Sequence, residues 1–160
     1  MVKIALKVKA NLENVTNLKP ANDDFEWTIK IKCNNCNESS DKWHSLTIKE
    51  TYELKGGRGD AHFVYKCKFC SNQSSILILP ETIQSYSDDD SPKLKTMVVF
   101  DCRGIEPIEY QPRDGFVCQG IESGRVFSSV EFQDNEWVDY DDKANQSVGI
   151  YEFESKFERS

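Results

Sequence analysis

Four of the six cysteines fall into two Cys-x-x-Cys pairs, Cys33-Asn-Asn-Cys36 and Cys67-Lys-Phe-Cys70, with 30 residues between them. Such a turn lets two sulfurs face one point, and two turns supply the four thiolates that satisfy a tetrahedral zinc ion. The interval exceeds the roughly 15–20 residues usual for this arrangement. A longer insert is still tolerated, because loop-closure entropy grows only with the logarithm of length. Within the insert, Leu46 to Leu54 fits strand structure and Gly56-Gly57-Arg58-Gly59 reads as a turn. The expected chemistry is one Zn2+ per chain, held by Cys33, Cys36, Cys67 and Cys70. Asn34 and Asn35 suit the first turn because asparagine tolerates left-handed backbone. Lys30, Lys32, Lys66 and Lys68 flank the ligands, where positive charge favours thiolate over thiol.

A site with four protein sulfurs keeps no open position for water or substrate, which argues for structure over catalysis. No catalytic residue is expected, and the chain reads as a non-enzyme. The competing chemistry is thiol–disulfide exchange, which calls for a Cys-x-x-Cys that opens a helix in a βαβ context; neither pair precedes a helical pattern. Zinc peptides gain about 10–16 kcal/mol from the metal, comparable to a whole domain's stability of about 5–15 kcal/mol. Removing zinc is therefore expected to unfold at least residues 1–85. Cys102 and Cys118 lack paired neighbours and read as buried small hydrophobes. His44 and His62 are expected on solvent-facing strand positions. No Gly-x-Ser-x-Gly, Walker or dinucleotide fingerprint is present.

The elements that must position these cysteines are strands. Ile4, Leu6 and Val8 alternate with lysines, Trp27 to Cys33 alternates apolar with polar, and so does Phe63 to Cys67. Ser75–Leu79, Thr96–Phe100, Val126–Phe132 and Ile150–Phe157 read as further strands, and Asn135–Gln146 as one short helix. Turns fall at Arg103-Gly104, Asp114-Gly115 and Ser123-Gly124. The predicted class is mainly β, with two related antiparallel β-units, sandwich or barrel-like, the first carrying a zinc-ribbon-like four-cysteine site. Polar, acidic Ser85–Pro92 reads as a linker. It divides a zinc-binding β-unit at 1–86 from a related unit at 92–160 that lacks the metal site, unless both fold as one compact globule. The relation rests on the shared cadence of Leu6–Pro20 and Met97–Pro112, each followed by an aromatic, Phe25 or Phe116; Asp60–Cys67 and Ser147–Phe153 could also correspond. Coincidence between strand sequences is the alternative.

The formal net charge of −7 argues against a general nucleic-acid binder. No stretch reaches the roughly 18 apolar residues of a membrane span, and the lysine-broken N-terminus offers no secretory h-region. Six cysteines without such a signal point to a reducing compartment, the cytoplasm or alternatively the nucleus.

Several segments act together as a signature: Lys3-Ile-Ala-Leu6, Leu12 to Pro20, the two cysteine pairs, Ser40-Asp-Lys-Trp43 and Leu54 to Gly59. Cys102-Arg-Gly, Glu106 to Pro112, Trp137-x-Asp-Tyr-Asp and Ser147-Val-Gly-Ile-Tyr151 complete it. On these residues the chain resembles the eukaryotic CXXC-motif-containing zinc-binding proteins over almost its full length. The resemblance implies a mainly β protein with one zinc on the same four cysteines, and no defined molecular role. The leading expectation is a structural zinc site in a monomeric, non-enzymatic interaction or scaffold protein that binds protein partners of unknown identity. A metal-handling (metallochaperone-like) protein is the first alternative, and a thiol–disulfide redox protein the second.

Overall fold

The computed structural model describes residues 2–54 and 59–160. The turn expected at Gly56-Gly57-Arg58 lies outside the described residues. Among the described residues fourteen strands follow one another: β1 (Val2–Glu13), β2 (Val15–Pro20), β3 (Trp27–Cys33), β4 (His44–Leu46), β5 (Tyr52–Glu53), β6 (Asp60–Ala61), β7 (Phe63–Lys66) and β8 (Gln73–Leu79), then β9 (Lys95–Arg103), β10 (Ile105–Tyr110), β11 (Phe116–Gly120), β12 (Val126–Val130), β13 (Trp137–Asp141) and β14 (Gln146–Arg159). Among the described residues there is no α-helix, only a 3-10 turn at Pro80–Thr82. The protein is mainly β.

Every pairing is antiparallel. A six-stranded sheet runs β13-β14-β1-β9-β8-β7, and two three-stranded sheets run β10-β3-β4 and β12-β11-β2. The order is symmetric about the central β1·β9 pair. Exchanging β1, β2, β3, β4, β7 and β8 for β9, β10, β11, β12, β13 and β14 maps the six-stranded sheet onto itself and each three-stranded sheet onto the other. The β5·β6 ribbon stands outside the scheme, as an insert within the first half. Much of the pairing crosses between halves: β14 and β9 flank β1, β10 lies on β3 and β2 lies on β11. Strand order matches β7 with β13, not Asp60–Cys67 with Ser147–Phe153.

One apolar core serves all three sheets. Leu6, Trp27, Ile29, Ile76, Phe100, Phe116 and Ile150 belong to it, each at 1% exposure or less. Alternation explains the placements: on β3, Trp27, Ile29, Ile31 and Cys33 are buried, while Lys30 and Lys32 lean outward and pair with Glu109 (3.8 Å) and Glu106 (2.9 Å) of β10.

Two local expectations are corrected. Asn135–Gln146 holds β13 and a tight turn rather than a helix. Its polar residues serve positive-φ positions at Asn135 and Asn145, and Asp141 accepts the Lys143 and Ala144 amides. Ser85–Pro92 is a pinned crossover rather than a free linker. Tyr86 is buried and exchanges two backbone hydrogen bonds with Leu18, at 2.7 and 2.8 Å, while its hydroxyl donates to the Lys93 carbonyl at 2.6 Å. Asp90 closes the segment by accepting from Lys95 at 2.9 Å.

Candidate metal centre

β3 ends on Cys33, and Cys67 directly follows β7. Each strand then folds into the same knuckle. Cys33 N–H donates to Glu38 O (2.9 Å) and Cys33 O accepts from Asn37 N–H (2.8 Å); Cys67 N–H donates to Asn72 O (2.9 Å) and Cys67 O accepts from Ser71 N–H (2.8 Å). The turn closes on a left-handed residue, Asn37 or Ser71, each at φ +64°. Asn34 and Asn35, expected to take that conformation, do not. Asn35 instead reaches across the site, where its side chain donates to the Cys70 sulfur, and the Asn72 and Glu38 amides donate to Cys70 and Cys36.

The knuckles bring all four sulfurs together. Cys33 Sγ lies 3.7 Å from Cys70 Sγ, Cys36 Sγ lies 3.7 Å from Cys67 Sγ, and all four fall within 4.8 Å of one another. A tetrahedron with Zn–S bonds of about 2.3 Å has S···S edges of about 3.8 Å. The spacing fits that figure and is far from the roughly 2.05 Å of a disulfide. All six cysteines are free thiols.

The protonation pattern fits the same donor set. Cys70 is drawn down to about 6, first by the Asn35 hydrogen bond and then by the Asn72 amide. Cys36 is pushed up to about 12: the Glu38 amide opposes the rise, but burial and the neighbouring sulfurs outweigh it. Four adjacent sulfurs cannot all ionise without a cation among them. A divalent ion lets all four deprotonate, so loading it releases protons. The sulfurs of Cys33, Cys36, Cys67 and Cys70 would hold that ion and fill its coordination shell.

The surroundings differ from expectation in detail. Lys30 and Lys32 are engaged by Glu109 and Glu106, so much of their charge is answered on β10 rather than at the sulfurs. His62 is buried, not exposed, and its Nδ1 accepts from the Ile78 amide at 2.8 Å, which places the proton on Nε2; burial lowers its pKa. His44 is half-buried, with its ring beside Phe63 and Tyr65 at 5.3 and 5.6 Å. Neither histidine joins the four-cysteine cluster. Cys102 and Cys118 are buried in the core, where desolvation lifts both thiols to about 12.

Gly104 is a site residue that sequence reasoning reduced to a turn. It joins β9 to β10 at φ +72°, its carbonyl accepts from the Asn34 amide at 3.0 Å, and a Cβ there would lie 3.3 Å from both Asn72 Nδ2 and Ser74 Cβ. It buttresses one knuckle and abuts the other. Gly104→Ala is expected to lose about 1–2 kcal/mol from the left-handed backbone alone. It should also speed metal loss to a chelator; urea unfolding and a timed chelator challenge check both.

Fold and site together define a mainly β protein with a two-knuckle, four-cysteine cluster that could hold one metal ion. The chain belongs to the family described as CXXC motif containing zinc binding protein, eukaryotic, whose sequence profile matches residues 5–158. It is 53% identical over 157 residues to the CXXC motif containing zinc binding protein of Bos taurus and 51% identical to that of Homo sapiens, covering 98% of each chain in both cases. Among solved structures it superposes on the crystal structure of C1orf123 with a TM-score of 0.95 at 50% identity, over 99% of both chains. A hypothetical protein from Plasmodium falciparum has the same fold, with a TM-score of 0.88 at 26% identity, over 99% of this chain and 100% of that one.

Proposed function

We propose that the chain binds one zinc ion through Cys33, Cys36, Cys67 and Cys70, and that this ion is structural in a non-enzymatic protein that works by binding other proteins. The observation that carries the reading is the four-sulfur cluster, with S···S spacings of 3.7 Å that match a filled zinc tetrahedron. A filled shell suits stapling, because β3 and β7 lie in different sheets and the ion would tie their ends together. The protein acts as a monomer in the cytoplasm or nucleus, where reducing conditions keep thiols available. Among the described residues no helix is long and apolar enough to cross a membrane.

One observation favours a second reading, metal handling. Cys33 and Cys67 are buried, whereas Cys36 and Cys70 are only partly so. A partner's thiolate could approach the ion from that side. Zinc transfer to a chromogenic chelator separates the readings. A structural site releases zinc only as the protein unfolds, so metal loss tracks the loss of far-UV signal. A handling site releases it from folded protein, and that outcome would displace the structural reading.

A further inference from the structure

The second half of the chain repeats the knuckle geometry without any sulfur. At the end of β11, Gly120 N–H donates to Arg125 O (2.8 Å), Gly120 O accepts from Gly124 N–H (3.0 Å), and Gly124 has φ +72°. This reproduces the Cys33–Glu38 turn, so Gly120 stands where Cys33 does and Ser123 where Cys36 does. At the end of β13, Asp141 pairs with Gln146 and Asn145 has φ +53°, as Cys67 pairs with Asn72 around Ser71. Asp141 therefore stands for Cys67 and Ala144 for Cys70. Even the buttress recurs. The Ile121 amide donates to Asn14 O in the β1–β2 turn at 3.0 Å, as the Asn34 amide donates to Gly104 O in the β9–β10 turn.

The sheet order and these hydrogen bonds give the same correspondence independently. What occupies the point where four sulfurs would converge is a side-chain pair. Asp141 has no exposed surface; its Oδ2 accepts from the Ser123 hydroxyl, and its Oδ1 accepts from the Lys143 and Ala144 amides at 3.0 and 3.2 Å. Ser123 Oγ in turn accepts from the Arg125 amide at 3.0 Å, as Cys36 Sγ accepts from Glu38. A Cβ on Gly120 would sit 2.6 Å from Asp141 Oδ2 and 2.9 Å from Ser123 Oγ. Glycine is needed here because oxygens fill the space, since its φ is not in the left-handed region.

We propose that Gly120, Ser123, Asp141 and Ala144 are the four ligand positions of a second, converted metal site, in which the Ser123–Asp141 hydrogen bond clasps the two turns in place of a cation. The clasp is not tied to the proposed role of the first site. It explains how one half of a repeated architecture keeps its knuckles closed without thiolates. It also makes a quantitative demand: the backbone is still shaped for metal, so restoring the donors restores the site.

The test is the variant G120C/S123C/D141C/A144C, reduced and loaded with Co2+ alone. The expected result is two cobalt ions per chain and a twofold rise in the thiolate-to-cobalt absorption over the parent. A folded variant that binds one ion overturns the proposal. Should that variant not fold, Gly120→Ala is compared in the parent and in an Asp141→Ala background. The clash predicts a fall in Tm of about 5 °C in the parent and a clearly smaller one once the carboxylate is gone and only the Ser123 hydroxyl remains in the way, with one metal per chain throughout. Equal falls in the two backgrounds overturn the proposal.

Discussion

A chain carrying Cys67→Ser will purify without stoichiometric zinc and without its native cooperative unfolding. Cys67 is buried at 2% exposure and supplies one of four convergent sulfurs. A serine oxygen is smaller, binds zinc poorly when neutral and does not ionise near neutral pH, so three ligands remain around a gap. Because a preformed site does not survive unfolding, metal affinity and folding free energy are linked. The loss is expected to reach at least about 5 kcal/mol, within a total of about 5–15 kcal/mol. The damage should also spread beyond the first half. β3 pairs with β10, and β8 with β9, so the strands that lead into and out of the knuckles are paired to strands of the second half. Far-UV and tryptophan signals should therefore report one coincident transition over the whole chain. Cys102→Ala serves as the contrast, since that thiol lies in the core away from the cluster. It should lower stability yet keep one zinc per chain.

Trp27→Ala is the second large effect. Trp27 is 1% exposed, and its ring meets Phe25, Tyr110 and Phe100 at centroid distances of 4.6, 6.1 and 6.2 Å. Truncating a buried tryptophan costs about 3–5 kcal/mol, because the cavity cannot fully collapse. The residue opens β3, the strand that ends on Cys33, so loosening it should also slacken one knuckle. Denaturant unfolding should show the loss in the zinc-loaded protein. Zinc retention against a chelator should fall in parallel, because a less stable fold offers the ligands less often in register. Trp27→Phe, which keeps an aromatic in the cluster, should lose less on both measures.

The four-cysteine cluster was legible because a zinc knuckle asks for residue type and local spacing at once, and two Cys-x-x-Cys pairs meet both demands. The strands leading into them, Trp27–Cys33 and Phe63–Lys66, were legible for a different reason, since alternation writes one buried face into the sequence. Elements without alternation were harder to read. β10 carries Pro107, and its pairing with β3 shifts register between Pro107 and Glu109, so its period is broken. The turn after β13 is rich in Asp and Asn and resembles the polar face of a helix, but those residues sit at positive φ and cap amides. Ser85–Pro92 has a linker's composition, and what ties it down is a buried Tyr86 together with Ser91, whose hydroxyl donates to Ala10 O and accepts from the Leu12 amide. The exchange of strands between halves was out of reach, because pairing partners such as Cys33 and Ile105 lie far apart in the chain. Gly104 and Asn35 were missed on the same ground: each acts on a knuckle far from it in the chain.

The most direct test is X-ray absorption at the zinc edge of the purified, reduced protein, calibrated against protein concentration. One zinc per chain is expected, with four sulfur neighbours at about 2.3 Å. A nitrogen or oxygen in that shell, or no zinc at all in folded protein, would contradict a four-cysteine zinc centre.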